Sequence, residues 1–178
     1  MSTVIIKKPK KKVEKEETKK VFGVYLKSIL ERKVCLNITE IGKNVKSNLE
    51  KKIDMLIGGK CINEGYIRPK SIRIMSYSSG VVETNVVQFQ VVFECMVCLP
   101  VEGMEMFCVC KTITKAGIHA QVIDEEKNMP ITMFIARDHH HLDNRFSEVK
   151  EGDQLKTRVI GIRYELDDDF ICTIGKLI

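Results

Sequence analysis

Met106-Phe-Cys-Val-Cys-Lys-Thr-Ile-Thr-Lys-Ala-Gly117-Ile-His-Ala-Gln-Val122 opens the last third of the chain. Met129-Pro-Ile-Thr-Met-Phe-Ile-Ala-Arg-Asp138 follows, then Val149-Lys-Glu-Gly-Asp-Gln-Leu-Lys-Thr-Arg-Val-Ile-Gly-Ile-Arg-Tyr164 and Phe170-Ile-Cys-Thr-Ile-Gly175. Together they hold five short alternating segments with turn residues between them, the pattern a small Greek-key barrel requires. The phase of the alternation assigns faces. With Ile118, Ala120 and Val122 inward, His119 and Gln121 point outward; with Met133 and Ile135 inward, Phe134 points outward. Outward rings on neighbouring strands suit base stacking, and Lys111, Lys115 and Arg137 would add phosphate contacts. The other reading of Phe134 is burial against the preceding domain.

Working outward, Arg137-Asp-His-His-His-Leu-Asp143 reads as an exposed loop after the third segment. Its histidines, His139 among them, either form plain surface or touch RNA. Three adjacent histidines rarely share one metal, and the His-Glu-x-x-His spacing of helical zinc sites is absent. Asp167-Asp-Asp169 reads as a solvated hairpin tip between the last two strands.

Upstream, residues 21–38 read as a strand, clearest at Lys33-Val-Cys-Leu-Asn-Ile38. Thr39 is placed as an N-cap, and Ile41, Val45, Leu49, Ile53 and Leu56 recur with helical period until Gly58-Gly59. Residues 60–68, 71–77 and 81–99 read as three strands of an antiparallel meander. The expected architecture is therefore an α+β domain over residues 21–100 followed by an all-β barrel over 101–178.

The bulk numbers constrain partners. Of the formal net charge of +5, residues 1–20 carry all of it, with eight Lys and three Glu. The remaining residues balance 21 basic against 21 acidic side chains, so the high isoelectric point says nothing about the folded body. The 1–20 segment reads as a disordered basic tail, either solubilising or an import or nucleic-acid segment. No apolar run reaches membrane-spanning length and no secretory pattern follows the first lysines, so an intracellular, membrane-free protein is expected. The seven Cys are expected to be free thiols. Cys95 and Cys98 have zinc-knuckle spacing, but a strand sends an i,i+3 pair to opposite faces; Cys108 and Cys110 share a face as core residues do. No phosphate loop or nucleophile elbow is present, and no metal or cofactor is expected.

The landmarks of the last third resemble the S1 family of RNA-binding barrels: a strand, a glycine, two further strands, then Val149-Lys-Glu-Gly-Asp153. The domain before it narrows the resemblance. Leu36-Asn37-Ile38, an amphipathic helix, Gly-x-Cys-x-x-x-Gly-Tyr-Ile at 59–67, Val91-Val92-Phe93 and Gly103 occur in that order. Over residues 21–178 this resembles the seventh subunit of eukaryotic RNA polymerase II and its archaeal counterpart, the E-prime polypeptide of archaeal RNA polymerase. The resemblance implies a non-catalytic stalk subunit of a DNA-dependent RNA polymerase. It implies a first domain docking on the polymerase core through Gly65, Tyr66 and Ile67 and a barrel meeting nascent single-stranded RNA. It further implies a second, helical stalk subunit as partner. His119 and Phe134 fall where S1 barrels place stacking residues. The extra basic tail and Cys108 in place of the family's usual glycine suit a polymerase from a large DNA virus, working in a viral factory and virion; a cellular protein would be nuclear. The alternatives are a free-standing S1 RNA-binding protein, of exosome-cap or translation-factor type, and a metalloenzyme built on the Cys and His residues.

Overall fold

Two long antiparallel strands organise the first half. In this computed structural model, which describes residues 23–140 and 144–178, β1 (Tyr25–Asn37) and β6 (Val86–Cys98) pair along their whole length, from Tyr25↔Cys98 to Asn37↔Val86. The reading of residues 1–20 as a tail lies outside the described residues. The far edge of β6 is shared in succession by β5 (Val81–Glu83), β4 (Arg73–Tyr77) and β3 (Gly65–Ile67), and β2 (Cys61–Ile62) pairs with β3. The expected meander is thus corrected to a sheet of six strands in which β6 is the common partner. Its length explains this: no shorter strand can cover a thirteen-residue edge.

Helix α1 (Val45–Ile57) covers one face of this sheet. It starts later than the periodicity predicts. Residues 38–40 form a 3-10 turn, closed by the Glu40 carboxylate accepting the Asn37 N–H at 2.9 Å, so Thr39 caps nothing in α1 and Asn44 takes the N-cap position. The apolar stripe narrows accordingly: Leu49 and Ile53 are buried, whereas Ile41 and Leu56 are exposed. Leu49 and Ile53 pack with Val34, Leu36, Phe89, Val91 and Phe93 into one core. Phe93 is wholly buried there, and its truncation to Ala would cost about 3–5 kcal/mol.

The second half is the barrel. Strands β7 (Glu105–Ile113), β8 (Gly117–Val122), β9 (Ile131–Ala136), β10 (Gln154–Arg163) and β11 (Ile171–Leu177) close in the order β7-β8-β9-β11-β10. Every neighbouring pair is antiparallel except β9 and β11, which run parallel. Five strands in that Greek-key order make an OB-like barrel. A short helix, α2 (Asn144–Glu148), lies between β9 and β10.

The two sheets share a core. Cys61, Tyr66 and Cys98 from the first sheet pack with Met106, Val122, Ile171 and other barrel residues. Backbone bonds cross as well: the Cys61 N–H donates to Asp168 O at 2.8 Å and the Asp167 N–H to Cys61 O at 2.9 Å. The aspartate turn is therefore backbone-paired to β2, rather than the free tip its composition suggests. A polar knot completes the junction. Asp124 accepts bonds from Tyr25 Oη (3.2 Å), Asn128 Nδ2 (2.8 Å) and the N–H groups of Glu126 and Asn128 (2.9 and 2.8 Å). Arg68 lies 3.4 Å from the same carboxylate, 3.2 Å from Glu126, and over the Tyr25 ring at 5.3 Å. Burial raises the pKa of Asp124, but its donors outweigh burial and the net shift is downward.

Candidate nucleic-acid interface

The outer face of β8 and β9 is set by the barrel's pleat. Ile118, Ala120, Val122, Ile131, Met133 and Ile135 are buried inside, which leaves His119 exposed and Phe134 half-exposed outside. The two rings are direct cross-strand partners, with centroids 4.9 Å apart and planes tilted by 47°. Phe134 belongs to neither apolar core; its ring leans over Gly117, where a Cβ would meet Phe134 Cζ at 2.8 Å and Ile135 O at 2.4 Å. Only glycine at 117 lets the ring lie down against the strand.

The basic residues fall around this pair. The Thr114–Gly117 hairpin is closed by Thr114 Oγ1 donating to Gly117 O at 2.8 Å, which holds Lys115 at its tip, exposed. Arg137 Nε donates to Lys115 O at 2.9 Å and its guanidinium lies 5.0 Å from the Phe146 ring centroid, so this exposed cation is held in place. Lys111 is exposed at the β7 bulge between Cys110 and Thr112, and His139 is exposed in the 3-10 turn Arg137–His140.

That turn departs from the loop expected of it. His140 is buried, stacked on Phe146 at 5.1 Å. Its Nε2 accepts the Leu177 N–H at 3.0 Å, which requires the proton on Nδ1, where it donates to Ala136 O at 2.9 Å. His140 thus ties the turn to the last strand. Residue 141 lies outside the described residues.

Gly65, Tyr66 and Ile67, the residues expected to dock on a polymerase core, lie in β3. All three are buried in β3, between β2 and β6, with Tyr66 4% and Ile67 0% exposed. Gly65 has φ of +124° and a Cβ there would meet Cys98 O at 2.5 Å. Tyr66 belongs to the core shared with the barrel and Ile67 to the helix-side core. The buried thiols are equally closed: Cys95 faces the helix-side core and Cys98 the barrel-side core, and burial pushes them up to about 11 and about 12. Among the described residues no three His, Cys, Asp or Glu side chains converge on one point.

Sequence reasoning missed Ile174, Lys176 and Arg158, which lie outward on β11 and β10. The signal was the alternation Ile171, Thr173, Gly175, Leu177 facing inward, obscured because two of those four are not large apolar residues.

The chain is thus an OB-like barrel preceded by a six-stranded sheet with one covering helix. No known protein-family description matches it. It is 26% identical over 172 residues to "Putative DNA-directed RNA polymerase subunit L376" of Acanthamoeba polyphaga mimivirus, covering 88% of this chain and 83% of that protein.

Proposed function

We propose that this protein is a non-catalytic subunit of the DNA-dependent RNA polymerase of a large DNA virus. It docks on the polymerase core through its first sheet and offers the barrel face of His119 and Phe134 to emerging single-stranded RNA. The observation that carries this reading is the similarity to a mimivirus protein named as an RNA polymerase subunit, which runs through both sheets. The OB-like barrel supports the RNA part, because such barrels bind single strands by stacking and phosphate contact without chemistry of their own. No helix among the described residues is long and apolar enough to cross a membrane.

Docking is assigned to the end of the first sheet away from the barrel. Ile38, Val81 and Val82 are exposed there, the valines by 61% and 65%. The Ile38 N–H donates to Asn85 O at 3.1 Å, and Val82 pairs with Val87, which brings these side chains to one end of the sheet. Thr84, a β-branched residue at φ of +54°, turns the chain between them. Exposed apolar side chains gathered at one end of a sheet, beside a strained turn, suit a contact surface.

The test is affinity purification of tagged protein from infected cells followed by mass spectrometry. Large polymerase subunits should co-purify with wild type and be lost with Val81→Asp/Val82→Asp. Recovery of exosome or translation factors instead would replace the polymerase reading with that of a free-standing RNA-binding protein.

A further inference from the structure

The barrel face does not stop at β9. The hydrogen-bond register continues outward-facing positions across it in one row: Thr112, His119, Phe134, Ile174 and Gly161, on β7, β8, β9, β11 and β10 in turn. Ile174 is 46% exposed, an apolar side chain standing on the open surface beside Phe134. Gly161, next along, has nothing within 4 Å of where a Cβ would stand. The row's ring and aliphatic members, His119, Phe134 and Ile174, make a short strip of about 10 Å, two strand spacings across β8, β9 and β11, with bare backbone at Gly161 beyond.

Cations run along one side of the strip. Gly117 pairs with Ala136, Gly175 with Ile135, and Lys176 with Arg158, so the row beside the strip is uncharged on β8 and β9, where Lys115 and Arg137 lie just beyond it, and carries Lys176 and Arg158 on β11 and β10. Arg158 is partly engaged by Glu105 at 2.7 Å. Lys176 is exposed and makes no ion pair among the described residues. On the other side the row Gln121, Thr132, Cys172, Arg163 is polar and ends on a further cation. An apolar floor with cations along one side matches a single strand, whose bases are flat and apolar and whose phosphates lie to one side.

We propose that single-stranded RNA crosses the barrel from β8 over β9 onto β11, with Ile174 as the floor beneath the base that follows the one on Phe134, and with Lys176 and Arg158 as phosphate contacts. The inference rests on the RNA-binding reading above and extends it to strands on which that reading assigns no residue.

The experiment measures binding of a fluorescent oligouridine of about twelve nucleotides to the full chain by anisotropy over a series of salt concentrations. Lys176→Ala should weaken binding roughly two- to fivefold and lower the salt slope by about 0.7, one phosphate's worth for a single strand. Ile174→Asp should weaken it by roughly tenfold or more, because a carboxylate then replaces the apolar floor under the base and repels the strand's negative charge. Thermal melts check folding, and Lys176→Ala, at an exposed unpaired side chain, keeps the test valid should Ile174→Asp unfold. If Phe134→Ala weakens binding while neither Ile174→Asp nor Lys176→Ala does, the path ends at β9 and the extension is wrong. If none of the three matters, the RNA-binding reading of this face falls with it.

Discussion

Replacing Asp124 by Asn tests the junction between the two sheets. The carboxylate sits beside Arg68 with its side chain 6% exposed and accepts bonds from Tyr25, Asn128 and Glu126. An Asn keeps one acceptor oxygen for the two backbone N–H groups. Its amide nitrogen then confronts Asn128 Nδ2 and the Arg68 guanidinium, where Oδ2 had accepted from Asn128 and Tyr25 and faced Arg68 as a charge. Loss of charge-assisted bonding at a mostly buried site costs about 2 kcal/mol; Glu126 at 3.2 Å from Arg68 keeps the figure from being larger. For a chain of this size that is a fall in Tm of roughly 4–8 °C. The sign with pH follows from the lowered pKa. The native carboxyl titrates below its ordinary 3.8, so its contribution is full above that value and is lost as pH falls through the native pKa. Asn has no proton to bind. Wild type and variant should therefore differ in Tm at pH 7, and the gap should narrow as pH falls below 3.8 in scanning calorimetry. Equal Tm at pH 7, or a gap that stays constant into acid, would refute the account of the junction.

Tyr66→Asp should cost far more than docking: a carboxylate placed in the shared core is expected to lower Tm by more than about 10 °C or to leave the protein insoluble, as thermal melts and solubility would report. A soluble variant with unchanged Tm would return Tyr66 to the surface. Thiol labelling of the native protein with a chromogenic disulfide should find Cys35 and Cys172 fast and the other five slow until denaturant is added, since those five are buried with their thiols pushed up, Cys61 and Cys108 to about 11. His140→Ala should speed amide exchange at Leu177 selectively, because the ring nitrogen that accepts that N–H is gone; unchanged exchange would mean the bond is not made in solution.

The barrel was legible because its alternation is strict. Ile118, Ala120, Val122 and Met133, Ile135 fix the inward phase of two strands, and the outward places of His119 and Phe134 follow without any tertiary information. The long β6 was legible from its run of Val and Phe. What stayed hidden was long-range. Nothing local in Gly65-Tyr66-Ile67 says that a strand of three residues will be covered by a barrel more than thirty positions later in the chain. The histidine run misled for a related reason: hydropathy reads three histidines as surface, whereas His140 satisfies both ring nitrogens with backbone groups and so is buried at little cost. Thr39 failed as a cap because Glu40 closes the preceding turn on Asn37 first.

The proposed division of labour follows from one strand. The thirteen residues of β6, at about 3.4 Å each, run for about 40 Å. Its Val86 end lies beside the exposed Val82 turn, and its Cys98 end enters the core shared with the barrel. Pairing with β1 is unbroken along that length, so little bending is available between the ends. At the barrel end the Arg68–Asp124 pair and the Cys61–Asp168 backbone bonds add constraints that a single linker at residues 99–104 would lack. A chain built this way transmits position rather than motion: it would hold the proposed RNA-binding face at a set distance from a partner bound at its far end. This also gives the Arg68–Asp124 knot a task, since a loose hinge would let the barrel face turn away from the strand it is proposed to hold.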